Sequence, residues 1–442
     1  SLFIFADVPF ALLFLVIITL LGGTIVLVPI ISIPIALLAG LYFQRAIQRQ
    51  TLLNMAAGNR KTGLLVEAVD GVETIKANGG EWRIQARWNR LVAETGDAEL
   101  DIRSHSTLSQ NLTAAMSQLS YVIFVAFGAY LVTENHLTMG GLIACSIISN
   151  RVLAPIVQLP AVMVQWAHAR AAIDGLEKII ALPNEADDME SVLTPASVSP
   201  GLVFERTNFS YGTARHAALQ IDRLEIRPGE RVGLIGAIGS GKSTLLKLAS
   251  GLYRANEGKT YLGGLDMALL NPQVLRETIA YLPQETRLFS GTLRENLLFG
   301  LADPGDEAIL QAAARTGLDA LILGQPKGLA LELTEGGRGV SGGQMQLIAL
   351  TRMLLAKPAL WLLDEPTGAM DSLSEARVVR LLGEMAAQGA TLLVTTHKTA
   401  LLPLFDRLIV LQGGRVLLDG PRDAVLAKLS GRPTAAEQGA AV

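Results

Sequence analysis

From Val8 to Gln44 the chain carries no charged residue. One helix crosses a bilayer with about 20 apolar residues, so the run is too long for a single upright span. Gly22-Gly23-Thr24 supplies a break in its middle, and the run reads as two spans, 5–22 and 25–44. Asp7 and Pro9 have the chemistry of a helix start, a capping side chain followed by proline in the first turn. Apolar residues make up 50% of the 442 and charged residues only 17%. The excess sits before Arg170, so one part of the chain answers to a membrane and the rest to water.

Two further apolar runs follow, "LTAAMSQLSYVIFVAFGAYLV" at 112–132 and "GLIACSIISNRVLAPIVQLPAVMVQW" at 141–166. The second contains Asn150 and Arg151, polar groups that at membrane depth belong on the interior of a bundle or beside water. The single cysteine, Cys145, has no disulfide partner within the chain and reads as a packing residue. Residues 45–105 are rich in arginine and lysine, whereas the connector "TENHLT" has neither. The positive-inside rule puts the long polar segment, and the domain that follows Arg170 and Lys178, in the cytoplasm.

That segment has no proline between Pro34 and Pro155. Leu53, Ala56, Ala57, Leu64, Val66 and Ala68 recur at helical spacing. The helices are therefore expected to run on past the membrane and to turn near "DGVETIKANGGEW" (70–82), giving a hairpin near 45–110. About 30 extra helical residues reach ~45 Å. The first domain is thus 1–182.

Composition changes at 183–200, rich in Pro, Ser and acid and without periodicity, which reads as a linker. Short buried-strand patterns then alternate with helical stretches, the mark of an α/β domain over 201–430. The last residues, 431–442, read as a disordered tail. The net charge of −3 gives no sign of nucleic-acid binding.

"GAIGSGKST" (236–244) follows the strand "RVGLI" and opens the helix "TLLKLAS". In that context Gly236, Gly239, Ser240, Gly241 and Thr244 build a loop whose backbone N–H groups wrap phosphates. Lys242 supplies charge to the β- and γ-phosphates, and Ser243 is a magnesium ligand. In "LWLLDEP" (360–366) Asp364 leaves a buried strand in position to hold Mg²⁺. Glu365, next to it, can polarise an attacking water.

With these, "FSY", "YLPQ", "VSGGQ", "AMD" and "VTTH" fall in an order that resembles the nucleotide-binding domain of ABC transporters. The fold class this implies is an α-helical transmembrane domain, about four helices of an exporter's six, joined to an α/β P-loop ATPase. The cofactors implied are ATP and Mg²⁺. The resemblance makes Tyr211 the adenine platform and Gln284 a group touching Mg²⁺ or the attacking water. It gives His397 the γ-phosphate and the water of Glu365, and gives Asp371 the dimer seam. Ser341, Gly342, Gly343 and Gln344 would meet the γ-phosphate held by a second copy of the chain, so that two sites are shared by a homodimer. "GVETIKA" is similar to the hairpin turn that docks on the ATPase in such exporters.

"DVPFALLFLVI", "LTMGGLIA", "RVLAPIVQLP", "EGGRGVSGGQ" and "DRLIVLQGGRVLLDGPRDAVL" resemble bacterial type I secretion ATPases, within them the branch exporting large RTX adhesins. That resemblance implies a multi-pass protein of the bacterial inner membrane with its ATPase domain in the cytoplasm. Its implied partners are the lipid bilayer, an exported protein, a periplasmic adaptor and an outer-membrane channel. It also implies a chain lacking its first two membrane helices and anything before them. Val340 and Met345 depart from the usual Leu and Arg of the family pattern, without removing a phosphate ligand or the carboxylate. An exporter of lipids or small molecules, a nucleotide-gated switch without turnover and an inactive fragment are the competing readings.

Overall fold

The computed structural model describes residues 2–182, 185, 193–212, 216–337 and 339–430. The expected tail at 431–442 and most of the expected linker lie outside the described residues. The chain divides into two units, Ser1–Pro183 and Asn184–Val442.

The first unit is helical: α1 (Leu2–Gly22), α2 (Leu27–Asp70), α3 (Val72–Ala77), α4 (Glu81–Thr133) and α5 (Met139–Ile180). A single 3-10 turn, Gly23–Val26, separates α1 from α2 where the Gly-Gly pair stands. Because α1 already runs from Leu2, Asp7 and Pro9 lie inside it and do not form its first turn. Long and apolar enough to cross a membrane, among the described residues, are Pro9–Ala36, with a mean hydropathy of 2.8, and a stretch of α4; Met139–Val152 is a shorter apolar stretch. Ile18, Ile25, Phe124, Leu142 and Cys145 close the core between these helices. A Cβ on Gly128 would lie 2.7 Å from Ile25 Cδ1 and closer still to Leu142; only glycine lets α4 approach so near. Arg151 is exposed on the isolated chain.

Beyond the apolar stretches α2 and α4 pair antiparallel along their length. Arg60 bonds Glu94 at 3.2 Å, Arg87 bonds Glu67 at 3.4 Å, and Gln50 donates to Asp101 at 3.3 Å. The pairs are exposed, each worth about 0–1 kcal/mol; their consistent spacing sets the register of the hairpin more than its stability. The turn falls at Gly71 and at Asn78-Gly79-Gly80, which bracket α3.

Among the described residues the second unit holds twelve strands: β1 (Leu202–Phe209), β2 (Leu219–Ile226), β3 (Arg231–Ile235), β4 (Glu257–Leu262), β5 (Leu265–Asp266), β6 (Ile279–Leu282), β7 (Gly291–Thr292), β8 (Glu332–Leu333), β9 (Leu360–Asp364), β10 (Thr391–Thr395), β11 (Arg407–Gln412) and β12 (Arg415–Pro421). The main sheet has the order β12-β11-β3-β10-β9-β6 and is parallel except for β12. β9 and β10 are buried throughout, as the unbroken apolar runs "LWLL" and "TLLV" require of strands covered on both faces. Leu360 and Leu362 face a core shared with α6 (Lys242–Ala249) and the antiparallel sheet β2-β1-β4-β5. Trp361 and Leu363 face the opposite core, against the helices Gly342–Ala356 and Ser372–Ala387.

Candidate functional site

The strand order alone gathers the site. β3, β10, β9 and β6 are parallel neighbours, so the loops that leave their C-terminal ends emerge along one edge of the sheet. β3 runs into the 236–244 loop, β6 into Gln284, β9 into Glu365 and β10 into His397.

The loop after β3 is glycine-dependent at defined points. A Cβ on Gly236 would stand 2.2 Å from the Leu411 carbonyl oxygen, and one on Gly241, at φ +101°, would stand 2.9 Å from that of Ala218. Gly241 precedes α6 without a side-chain cap, which leaves the first N–H groups of that helix free for an anion. Lys242 folds over the same loop and donates from Nζ to the carbonyls of Gly236 (2.8 Å) and Ala237 (3.0 Å). Ser240 and Thr244 are buried. Thr244 shares a hydrogen bond of 3.2 Å with the Tyr211 hydroxyl, and Tyr211 stands edge-on to Phe209 and Tyr253. The Ser243 hydroxyl has no partner among the described residues.

Asp364 is buried at the end of β9 and accepts a 2.6 Å hydrogen bond from Thr395 Oγ1. Glu365 turns sharply, with φ +51°, a region that few side-chain-bearing residues adopt. Its N–H donates to Thr395 Oγ1 at 2.9 Å. The turn brings its carboxylate between Gln284, whose Nε2 donates at 3.5 Å, and His397, whose Nδ1 lies 3.3 Å away. His397 is 67% exposed and Glu365 only 23%, so the acid is sheltered while the imidazole faces out. Burial, then the Asp364 carboxylate, pushes the nearby Tyr281 phenol up.

Ser341, Gly342, Gly343 and Gln344 form the start of the helix Gly342–Ala356. Ser341 Oγ accepts from the Gln344 N–H (3.2 Å), and Gln344 Oε1 accepts from the Ser341 N–H (2.8 Å). This capping box commits the Gln344 side chain to its own turn. A Cβ on Gly343 would lie 2.9 Å from the Ala369 carbonyl oxygen, so the glycine lets this turn seat against the segment leading to Asp371. Asp371 caps the next helix by accepting from Ser374 N–H at 2.7 Å, a bond that holds its carboxyl below the usual range. No hydrogen bond joins the 341–344 turn to the 236–244 loop among the described residues. The structure thus holds two groups, one at the edge of the parallel strands and one at the paired helix starts.

Several side chains that fix this geometry escape motif reading. Thr395 ties β10 to both acidic residues of β9's end. Gln346, buried two residues after the capping box, donates to the Glu365 carbonyl (3.4 Å) and accepts from Ala369 N–H (3.3 Å). Lys398 Nζ donates to the Thr367 carbonyl (2.7 Å) and pairs with Glu375 (3.3 Å), fastening the His397 turn to the Asp371 turn. Thr395 lies within "VTTH" itself, and for Gln346 and Lys398 nearness in sequence to "VSGGQ" and "VTTH" is the one available signal.

The family description "ABC transporter transmembrane region" matches residues 1–156, and "ABC transporter" matches 219–368. The chain is 28% identical to the toxin RTX-I translocation ATP-binding protein of Actinobacillus pleuropneumoniae over 96% of its own length and 60% of that protein's. It is also 28% identical to the cyclolysin secretion/processing ATP-binding protein of Bordetella pertussis, over 95% and 59%. The leukotoxin translocation ATP-binding protein of Mannheimia haemolytica gives 28% over 96% and 60%. The chain therefore spans about three-fifths of the length of these relatives. Its fold matches that of a bacterial Atm1-family exporter with ATP bound, at a TM-score of 0.87 and 24% identity, over 96% of this chain and 74% of that one.

Proposed function

Because the chain belongs to the ABC transporters, with a membrane region and an ATPase domain in one polypeptide, we propose that it couples ATP hydrolysis to export of a protein across the bacterial inner membrane. The observation that carries the hydrolytic part is the convergence of Gln284 and His397 on the Glu365 carboxylate beside the 236–244 loop. Glu365 is the acceptor that orients water, and His397 and Gln284 hold that carboxylate in place. The open start of α6 and Lys242 take the phosphates, and Tyr211 offers a ring to the base. The Ser243 hydroxyl and the buried Asp364 carboxylate are hard-oxygen groups that would hold Mg²⁺, which would supply charge for the phosphates. Ser341, Gly342 and Gly343 complete the site of a second copy.

The relatives named for toxin translocation and secretion support a protein cargo of RTX type. A periplasmic adaptor and an outer-membrane channel belong to the same reading. The test uses the complete protein in membrane vesicles, with hydrolysis measured against two additions. A C-terminal segment of an RTX-type protein is expected to raise turnover. Stimulation by lipid or a hydrophobic small molecule instead would replace the protein cargo with the other exporter reading.

The Lys398 link gives a second measurable consequence. Lys398→Met frees the His397 turn from Thr367 and Glu375, and kcat is expected to fall about tenfold, the worth of one charge-assisted hydrogen bond. KM for ATP stays within about twofold, because no phosphate contact is removed. Lys398→Arg restores most of the rate. A Lys398→Met protein with wild-type kcat removes this residue from the positioning scheme.

A further inference from the structure

A second polar recess lies on the antiparallel sheet. It has a volume of about 500 Å³ and presents Arg206, Arg223 and Arg415 against one carboxylate, Asp222, over a floor of Ile221 and Val416. The whole chain carries a net charge of −3, so three guanidinium groups in one recess run against its overall balance.

Arg206 is the telling residue. It occupies a β-bulge, where the pairing of β1 with β4 shifts between Glu205 and Asn208. Its φ is +46°, and among the described residues only Asn135, Lys357 and Glu365 join it as non-glycine residues with positive φ. A bulge of this kind re-aims a side chain, and Asn, Asp or Gly accepts the left-handed backbone more readily than a long arginine. Gly258 keeps the bulge in place: a Cβ there would meet the Arg206 carbonyl oxygen at 2.2 Å. Arg206 itself has no hydrogen-bond or ion-pair partner among the described residues. A strained backbone that presents an unpaired cation to a recess is an outlier of the kind that marks ligand sites.

The facing wall is anchored. Arg415 donates from Nε and Nη2 to Gln220 Oε1 at 3.0 and 2.7 Å. The Gln220 N–H donates to the Gly414 carbonyl at 2.7 Å, and the Gly414 N–H to the Ser240 carbonyl at 3.0 Å. Arg415 is therefore set by the back of the 236–244 loop and not by a flexible stem alone. Arg223 is more loosely tethered, 3.8 Å from Glu225.

We propose that this recess is a second anion site, distinct from the 236–244 loop, that takes a soluble molecule bearing two or more phosphate groups. Guanidinium forks grip phosphate oxygens in pairs, and the volume suits a small polyphosphorylated molecule. The site stands on its own residues and does not depend on the hydrolytic reading.

The test is calorimetric titration of the full chain with inorganic tripolyphosphate in the absence of nucleotide. Two binding events per chain are expected. Lys242→Ala removes the event belonging to the 236–244 loop. Arg206→Asn with Arg223→Gln weakens the other about tenfold or more, leaves the loop event unchanged and does not lower Tm, since asparagine accepts the bulge better than arginine. A single event that Lys242→Ala abolishes, or two events of wild-type affinity in the Arg206→Asn, Arg223→Gln protein, overturns the site.

Discussion

Glu365→Gln lowers ATP turnover by about 10²–10⁴-fold, the range that loss of a general base produces, while ATP binding changes less than severalfold. The amide has the size of the carboxylate and can keep the sharp turn at φ +51°. It also keeps an oxygen for the Gln284 amide, which donates to the carboxylate at 3.5 Å. What it loses is the negative charge that draws a proton from water. The His397 ring, 3.3 Å away, brings no negative charge to replace it. None of the Lys242 loop, Ser243 or Asp364 contacts changes, so nucleotide is retained and the bound state accumulates. Phosphate release gives the rate, and light scattering with ATP present gives the mass. Turnover within a few-fold of wild type would remove Glu365 from its assigned role.

Much of this was legible in the sequence because it is local. The charge-free run, the Gly22-Gly23 break and the absence of proline over the arm all act within a few helical turns, and α2, α3 and α4 follow from them. The glycine loop was equally plain, since a strand, a loop with Gly236, Gly239 and Gly241, and a helix occur in immediate succession. The helix start at Leu2 was not, because Asp7 and Pro9 form a good local start signal that the apolar residues before them override.

Less visible was everything set by strand order. Gln284, Glu365 and His397 meet only because β6, β9 and β10 are adjacent and parallel, with Asp364 in register with Thr395. Spacing along the chain does not encode that register. The same holds for Gln346, whose amide reaches the Glu365 carbonyl across the fold, and for Lys398 on Thr367 and Glu375. The Ser-Gly-Gly turn is instructive in another way. Its glycines invite a phosphate reading, yet within one chain Gly343 already serves close packing on Ala369. The left-handed Arg206 had no signal at all, because a bulge is a mismatch between strands and not a motif.

The second large effect tests whether a site is shared between copies. Lys242→Ala removes the cation of the 236–244 loop, and alone it abolishes hydrolysis. Gly342→Asp places a carboxylate at the first position of the helix Gly342–Ala356, exposed beside Ser341. An acidic group there favours the helix through its dipole, and a Cβ at 342 meets only Ala369 Cβ at 3.3 Å, so the fold tolerates it. Against a phosphate presented by the other copy the same carboxylate repels, and this variant alone is also inactive. Co-expressed in equal amounts, the two inactive chains are expected to regain activity. In a mixed pair the intact loop of one chain faces the intact turn of the other, while the remaining site carries both lesions. Half of all pairs are mixed and each has one sound site, so recovery approaches about a quarter of the wild-type rate where the sites act independently. Cooperative sites would lower that figure without abolishing it. Each chain's ATP binding is measured alongside, because Gly342→Asp must still load nucleotide on its own loop. Two loaded, co-purifying chains with no recovered turnover would mean that each loop and turn serve the same polypeptide, and the shared site would be lost.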